Sequence, residues 1–219
     1  MADAPEFHPH RPQCVTVEVP DVRLDPELRE RHASCSVAII GCGGLGSNVA
    51  EMLVRSGVGA LVLVDFDAVS ESTLNRQFYF RDQIAMPKTE ALAENLRRIR
   101  PEVRLTLLQA CVSAADLPGV LAGVDVAVEA VDTAEAKAMI ITTCMEELPA
   151  LPLVTASGLA GYGSTNAIVT ERMAENVYVV GDLTSDVRDG HPLFASRVMA
   201  AAAAEAHAVI RVLLGYPEP

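Results

Sequence analysis

A glycine-rich turn at residues 41–47, placed directly after four apolar residues, constrains the fold of this chain more than any other feature. An amphipathic stretch follows at residues 48–55, and a second apolar run at residues 61–64 ends in Asp65. A buried strand, a glycine turn, a helix, a second buried strand and a terminal acid form the first unit of a nucleotide-binding α/β sheet. We therefore predict nucleotide binding at this turn, with Asp65 accepting hydrogen bonds from the ribose.

The glycines of the turn have separate physical roles. Gly41 permits the tight turn, Gly43 and Gly44 let a phosphate approach the backbone, and Gly46 lets the helix pack closely on the strand. The helix N-terminus offers unpaired N–H groups and the positive end of its dipole to an anion. The pattern also fits a nicotinamide-dependent dehydrogenase, so the nucleotide has to be identified from the rest of the chain.

Composition limits the class of protein and its partners. The chain has 219 residues, half of them hydrophobic, which suits an N-terminal arm at residues 1–33 and a single domain at residues 34–219. The net charge of −12 argues against a nucleic acid as the main partner. The five cysteines form no Cys-x-x-Cys pair, so we expect no zinc site. Neither a signal peptide nor a membrane span is evident, which predicts a cytoplasmic protein without a membrane partner.

The periodicity of the remaining chain predicts alternating strands and helices. Pro26 to Arg31 has the composition of one short helix within the arm. Further helices are predicted from Pro87 to before Pro101 and at residues 117–121, 135–146 and 193–214, with strands at 103–108, 124–131, 153–156, 167–170 and 177–180. This order predicts an α/β fold, a Rossmann-like doubly wound and mainly parallel sheet with a small mixed C-terminal extension.

Cationic, amide and acidic residues follow the glycine turn in a pattern that a dehydrogenase does not require. Arg76 and Gln77 lie in a polar loop, Lys88 lies in the first turn of a predicted helix, and Asp132 ends a strand. Brought to one sheet edge, these residues would surround a triphosphate, with the two cations neutralising phosphate charge. Asp132 suits Mg²⁺, which proteins hold by a carboxylate together with substrate phosphates. The set indicates phosphoryl or nucleotidyl transfer.

Taken jointly, these motifs resemble the ThiF/MoeB family, the prokaryotic relatives of ubiquitin-activating enzymes, and most closely its short zinc-free branch. The resemblance covers roughly residues 35–215 and is carried by Gly41-x-Gly43-Gly44-Leu-Gly46, Asp65-Phe-Asp67, Leu74-Asn75-Arg76-Gln77, Pro87-Lys88 and Asp132. It implies that Asp65, Asp67, Asn75, Gln77 and the turn glycines bind ATP. It further implies that Arg76 and Lys88 bind the phosphates and that Asp132 holds Mg²⁺.

The resemblance also implies a reaction and partners. The C-terminal glycine carboxylate of a small ubiquitin-like sulfur carrier ending in Gly-Gly, such as ThiS, would be adenylated with release of pyrophosphate. An external donor would then supply sulfur, with thiamine biosynthesis the pathway suggested by default. The family further implies a homodimer. Departures occur at Thr73 and Thr133, where the family commonly has Asn.

Three alternatives stay open at this point. A related activating enzyme could act on a small-molecule or tRNA-borne carboxylate, and a nicotinamide-dependent oxidoreductase would share the glycine turn. A scaffold that has lost catalysis would share the fold, although the presence of Asp65, Arg76, Lys88 and Asp132 argues against it.

Overall fold

The computed structural model of the chain describes residues 25–218. Its α-helices in this part are α1 (Pro26–Ser34), α2 (Gly46–Arg55), α3 (Lys88–Ile99), α4 (Leu117–Val120), α5 (Ala134–Glu147) and α6 (Ala195–Leu213). Its strands are β1 (Ser36–Ile40), β2 (Ala60–Val64), β3 (Arg104–Leu108), β4 (Val126–Glu129), β5 (Leu153–Ala156), β6 (Val169–Ala174) and β7 (Val177–Gly181). Most of the predicted arm lies outside the described residues, and its last part forms α1. Of the helices between residues 25 and 218, none combines the length and apolar character that crossing a membrane requires.

The seven strands form one sheet in the order β3-β2-β1-β4-β5-β7-β6. Neighbouring strands are parallel except β6, which runs antiparallel to β7 at one edge. This arrangement confirms the predicted Rossmann-like, mainly parallel sheet with a small mixed C-terminal extension. The chain moves outward from β1 through β2 to β3 and then returns to place β4 on the other side of β1. Such a reversal opens a crevice at the carboxyl edge of the sheet, where ligands bind in this class of fold.

Alternating strand residues supply two apolar cores, one on each face of the sheet. On β1, Val37 and Ile39 face a core that also contains residues of α2, α3 and α6. Ala38 and Ile40 face a smaller core with residues of α4 and α5. Because side chains alternate along a strand, the continuous apolar run of β1 is what allows helices to cover both faces.

Most predicted elements agree with the structure to within two residues at each end, and two of the differences have a physical reason. Pro87 is the N-cap of α3 and not a residue of its first turn, so the helix begins at Lys88. The predicted strand at residues 167–170 is wrong in its position, since residues 165–167 form a short 3₁₀ turn and β6 begins at Val169. β6 is a largely exposed edge strand of mixed polarity, so it carries little of the apolar alternation on which the prediction rested.

A buried acid lies on α6, within the Ala-rich helix. Glu205 is fully buried, and neither carboxylate oxygen has a hydrogen-bond partner within residues 25–218. Burial, followed by the nearby charge of Glu129, raises the pKa of Glu205 well above its usual value of 4.5. Because desolvation disfavours the charged form, the folded protein favours the protonated form of Glu205 relative to the unfolded chain.

Replacing Glu205 by Gln is expected to flatten the pH dependence of stability. The folded state keeps its proton while the unfolded chain ionises near pH 4.5. The stabilising contribution is therefore fully present below that pH and is lost as pH rises toward and through the raised pKa. Each pH unit in this window removes about 1.4 kcal/mol.

Denaturant unfolding at about pH 5.5 and about pH 8 measures this effect on the free energy of unfolding. We expect the unaltered protein to lose more stability between the two conditions than Glu205→Gln does. Equal losses in the two proteins would mean that Glu205 is already ionised in the folded state.

Candidate functional site

The glycine turn lies at the crevice between β1 and β4. Gly41 has a φ of +95°, and a Cβ atom there would come within 2.5 Å of the Ala130 carbonyl oxygen at the end of β4. At Gly46 a Cβ atom would lie only 1.8 Å from the carbonyl oxygen of Gly41. Both positions therefore require glycine, and their close packing brings the turn against the loop that leads to Asp132.

Three consecutive backbone N–H groups at the turn are left without protein acceptors. Between residues 25 and 218, the N–H groups of Gly43, Gly44 and Leu45 have no hydrogen-bond partner, and no side chain caps the start of α2. A Cβ atom built at Gly43 would lie at an ordinary van der Waals distance of 3.8 Å from the Gln77 Nε2, so the Gln77 amide lies next to the turn. Unpaired N–H groups at a helix N-terminus attract anions, so this turn has the chemistry of a phosphate-binding loop.

Asp65 connects the glycine turn to the end of β2. Its carboxylate is buried and accepts hydrogen bonds from the N–H groups of Cys42 at 2.7 Å and Asp67 at 2.8 Å. The Cys42 side chain is also fully buried, and burial followed by the Asp65 charge raises the pKa of its thiol. The thiol is therefore neutral and fills space beneath the turn.

Lys88 is held beside the two acids that follow β2. Its Nζ lies 2.6 Å from Asp67 Oδ2 and 3.7 Å from Asp65 Oδ2, although the side chain is only 8% exposed. A cation in the first turn of a helix opposes the helix dipole. The two carboxylates offset that cost, and they keep the ammonium group at the carboxyl edge of the sheet.

The polar loop predicted to contact the nucleotide lies over the glycine turn, with one exception. Two atoms of the Arg76 side chain lie within 4 Å of the Cβ position of Gly44, and Gln77 is buried with its Oε1 lacking any partner in the described chain. Asn48 joins the two segments, because its Nδ2 donates to the carbonyl oxygens of Gly44 and Arg76. Asn75 is exposed and accepts a hydrogen bond from Arg76 Nη1 at 2.8 Å.

Asp132 was predicted to end a strand, but β4 ends at Glu129 and Asp132 lies in the loop between β4 and α5. It is exposed, and no group of three or more His, Cys, Asp or Glu residues within residues 25–218 is arranged to hold a metal ion. A single carboxylate still fits Mg²⁺, which is usually bound by one or two carboxylates plus substrate phosphates. Thr133 is the N-cap of α5, and its hydroxyl accepts a hydrogen bond from the Ala136 N–H.

A buried charge network lies next to the segment that leads from β4 to Asp132, and the sequence patterns did not predict it. Glu129 is fully buried and accepts hydrogen bonds from Lys137 Nζ, Thr155 Oγ1 and, at 2.8 Å, the Val131 N–H. The last bond holds the backbone that leads from β4 to Asp132. An i, i+8 spacing between Glu129 and Lys137 does not predict this contact, because the two residues belong to a strand and to the following helix.

A second missed pair supports the glycine-containing loop after β5. Arg197 at the start of α6 is 3% exposed and bonds Asp182 through Nη2 at 2.5 Å. Its Nη1 donates to the carbonyl oxygens of Gly163 and Ser164. The next residue of α6, Val198, lies against the Gly44 position, so α6 connects this loop to the glycine turn.

Replacing Lys137 by Met is expected to destabilise the fold strongly, because Glu129 would be left as a buried and uncompensated charge. The expected loss in the free energy of unfolding is about 3 kcal/mol. The double variant Glu129→Gln with Lys137→Met removes both charges and should regain a large part of that loss. Denaturant unfolding of Lys137→Met, of Glu129→Gln and of the double variant measures the coupling between the two residues. Additive losses would show that the pair does not interact in the folded state.

Comparison with known proteins places this geometry in a family. The ThiF family model matches residues 18–219. The chain is 33% identical over 147 residues to the tRNA threonylcarbamoyladenosine dehydratase of Escherichia coli (strain K12), which aligns 66% of this chain with 54% of that protein. It is 36% identical over 130 residues to ubiquitin-like modifier-activating enzyme 5 of Oryza sativa subsp. japonica, aligning 53% of this chain with 31% of that protein. The chain thus spans about half or less of the length of these relatives.

A solved structure shares the fold. The crystal structure of the E. coli tRNA N6-threonylcarbamoyladenosine dehydratase in complex with ATP superposes with a TM-score of 0.79 at 24% identity, covering 87% of this chain and 90% of that chain. The family match extends over nearly all the described residues and agrees with the sheet order and the glycine turn. The chain therefore belongs to the ThiF family.

Proposed function

We propose that this protein uses ATP to adenylate the C-terminal glycine carboxylate of a small ubiquitin-like sulfur carrier that ends in Gly-Gly. The observation that carries the proposal is the row of unpaired N–H groups at residues 43–45, with Lys88 and Asp65 beside it. A phosphate chain needs N–H donors and cations, and a ribose needs an acceptor. These requirements are met at one crevice of the sheet.

In this proposal each neighbouring residue has a distinct task. The phosphates bind the turn formed by Gly41, Gly43, Gly44 and Gly46, and Asp65 accepts from the ribose. Lys88 exchanges its contact with Asp67 for the α-phosphate, where charge builds up during transfer. Arg76 neutralises the outer phosphates from its position over Gly44. The buried side-chain amide of Gln77, next to Gly43, hydrogen-bonds the nucleotide. Asn75 keeps the Arg76 guanidinium in place.

The proposed reaction is a nucleotidyl transfer. A carboxylate oxygen of the carrier attacks the α-phosphorus, the bond from that phosphorus to the bridging oxygen breaks, and pyrophosphate leaves with the bonding electrons. The product is an acyl-adenylate, and an external donor then supplies sulfur. Mg²⁺ bound at Asp132 would supply charge neutralisation for the leaving phosphates. The residues of the chain position the reactants and stabilise charge.

Two substrate classes are supported to different degrees. Similarity to ubiquitin-like modifier-activating enzyme 5 supports a ubiquitin-like protein as the substrate. We further propose that this protein is a sulfur carrier in thiamine or related sulfur-cofactor biosynthesis, as the resemblance of the site motifs to the ThiF/MoeB family implies. Similarity to a tRNA threonylcarbamoyladenosine dehydratase supports a tRNA-borne carboxylate as the second candidate. The net charge of −12 disfavours a polyanionic partner, so we propose the carrier protein first.

The proposal predicts ATP–pyrophosphate exchange that depends on the carrier. The protein is incubated with Mg²⁺, ATP, labelled pyrophosphate and a ThiS-like protein with an intact Gly-Gly terminus, and label incorporation into ATP is measured. Exchange is expected only with the intact carrier, because the reverse reaction needs the acyl-adenylate. A carrier lacking its terminal glycine serves as the negative control. Exchange with a carboxylate-bearing tRNA alone would favour the second candidate.

A pair of acid-to-amide variants tests the assigned metal acid in the same assay. Asp132→Asn is expected to lower exchange by roughly 100-fold, since it removes charge that stabilises transfer. Glu135→Gln, three residues further and also exposed, is the matched control and should retain exchange. Absence of exchange with every carrier and tRNA, or full exchange in Asp132→Asn, would contradict the proposal.

A further inference from the structure

The Tyr79 side chain lies beneath the glycine turn and has no part in the function proposed above. Its ring belongs to the main apolar core, and the residue is only 5% exposed. The hydroxyl lies 2.7 Å from the carbonyl oxygen of Cys42 and 3.4 Å from that of Lys88. Because the hydroxyl carries a single proton, the shorter contact is the hydrogen bond.

Two hydrogen bonds hold the Cys42 backbone, one donated by the Tyr79 hydroxyl and one that the Cys42 N–H donates to Asp65. The Cys42 N–H donates to Asp65 Oδ2 at 2.7 Å, and its carbonyl accepts from Tyr79. Cys42 is fully buried, so its carbonyl cannot turn to water for a replacement donor. Removal of the tyrosine hydroxyl would leave that carbonyl without a partner.

The Cys42 carbonyl and the Gly43 N–H belong to the same planar peptide unit. Since the unit is rigid and trans, fixing the carbonyl direction fixes the opposite direction of the N–H. Glycines flank the segment at residues 41 and 43, and glycine permits backbone rotations that other residues resist. Without a donor on the carbonyl, this peptide would lose the contact that opposes its rotation, and a rotation would turn the Gly43 N–H away from its present direction.

We propose that Tyr79 is a positioning residue for phosphate binding, acting through the Cys42–Gly43 peptide to aim the Gly43 N–H at the nucleotide. The inference rests on the proposed function, because it assumes that a nucleotide phosphate occupies the turn. It adds a residue from the aromatic run 78–80 whose hydroxyl never contacts the ligand. The same hydroxyl sits within reach of the carbonyl of Lys88, so it also lies where the turn meets the start of α3.

The protonation state of Tyr79 suits this task. Burial, followed by the proximity of Cys42 and Asp65, raises the pKa of the phenol well above its usual value of 10. The hydroxyl therefore remains a hydrogen-bond donor over the pH range in which the protein is folded.

The test compares Tyr79→Phe with the matched control Tyr178→Phe. Both changes delete one hydroxyl from a buried ring of the same core, but Tyr178 lies on β7, away from the turn. Equilibrium binding of ATP and of adenosine is measured for the unaltered protein and both variants, with the melting temperature as a check on folding. The ratio of the two dissociation constants isolates the share of affinity that comes from the phosphates.

In Tyr79→Phe we expect ATP to bind about ten-fold more weakly while adenosine affinity stays unchanged, because only phosphate contacts depend on the aimed N–H. In Tyr178→Phe the ratio should equal that of the unaltered protein. An unchanged ratio of the ATP and adenosine dissociation constants in Tyr79→Phe, whether neither affinity falls or both fall equally, would overturn the inference. The proposed function would not be affected by that result. Failure of the unaltered protein to bind ATP would overturn both.

A measurement on the unaltered protein covers the case in which Tyr79→Phe does not fold. A structure of the protein with AMP bound should retain the hydrogen bond from Tyr79 to the Cys42 carbonyl, with the Gly43 N–H donating to the phosphate. A rotated Cys42–Gly43 peptide, or a Gly43 N–H that faces away from the phosphate, would overturn the inference.

Discussion

The rest of the site depends on the contacts that the buried carboxylate of Asp65 makes. It accepts the N–H of Cys42 from the turn after β1 and the N–H of Asp67 from its own loop, and it lies near the ammonium group of Lys88 at the start of α3. Three segments distant in sequence are thereby fixed around one buried anion. Charge-assisted bonds of this kind are among the stronger ones in proteins, which suits a loop that has to hold its shape before a ligand arrives.

The order of the strands explains why this position is available to a ligand. β1 lies between β2 and β4, and the chain leaves it first toward β2 and later returns to form β4. The loops after β1 and β4 therefore lead to helices on opposite faces of the sheet. At their start they are in contact, because Gly41 packs closely against Ala130. Buried pairs hold the surroundings of this crevice, Glu129 with Lys137 on one side and Asp182 with Arg197 on the other. The fold thus places the glycine turn against the loop that leads to Asp132.

Local patterns in the sequence were sufficient for the elements and for much of the candidate site. The strand–turn–helix unit at residues 37–55 and the acids after β2 and β4 are adjacent in sequence to the strands that position them, so periodicity and spacing revealed them. The edge strand β6 was predicted at residues 167–170 and lies at Val169–Ala174, because an exposed strand of mixed polarity carries little period-two signal.

Contacts between distant segments could not be derived in the same way. The pairing of Lys88 with Asp67, the bond from Tyr79 to Cys42 and the buried acid Glu205 depend on how loops and helices pack after the sheet has formed. An aromatic run such as residues 78–80 predicts burial, but it does not indicate which hydroxyl will meet which carbonyl. Lys88 and Tyr79 contact groups that hold the glycine turn, and neither their contacts nor the burial of Glu205 follows from local patterns in the sequence.

We propose that nucleotide phosphates bind the unpaired N–H groups of the turn after β1. The most direct measurement is a titration of the isotope-labelled protein with ATP and Mg²⁺, followed through the backbone amide resonances. We expect the largest shifts on Gly43, Gly44 and Leu45, with smaller shifts at Lys88 and Asp132. The signals of β6 and of the C-terminal end of α6 should stay unchanged. Largest shifts at those distant elements, with the turn unaffected, would contradict phosphate binding at the turn.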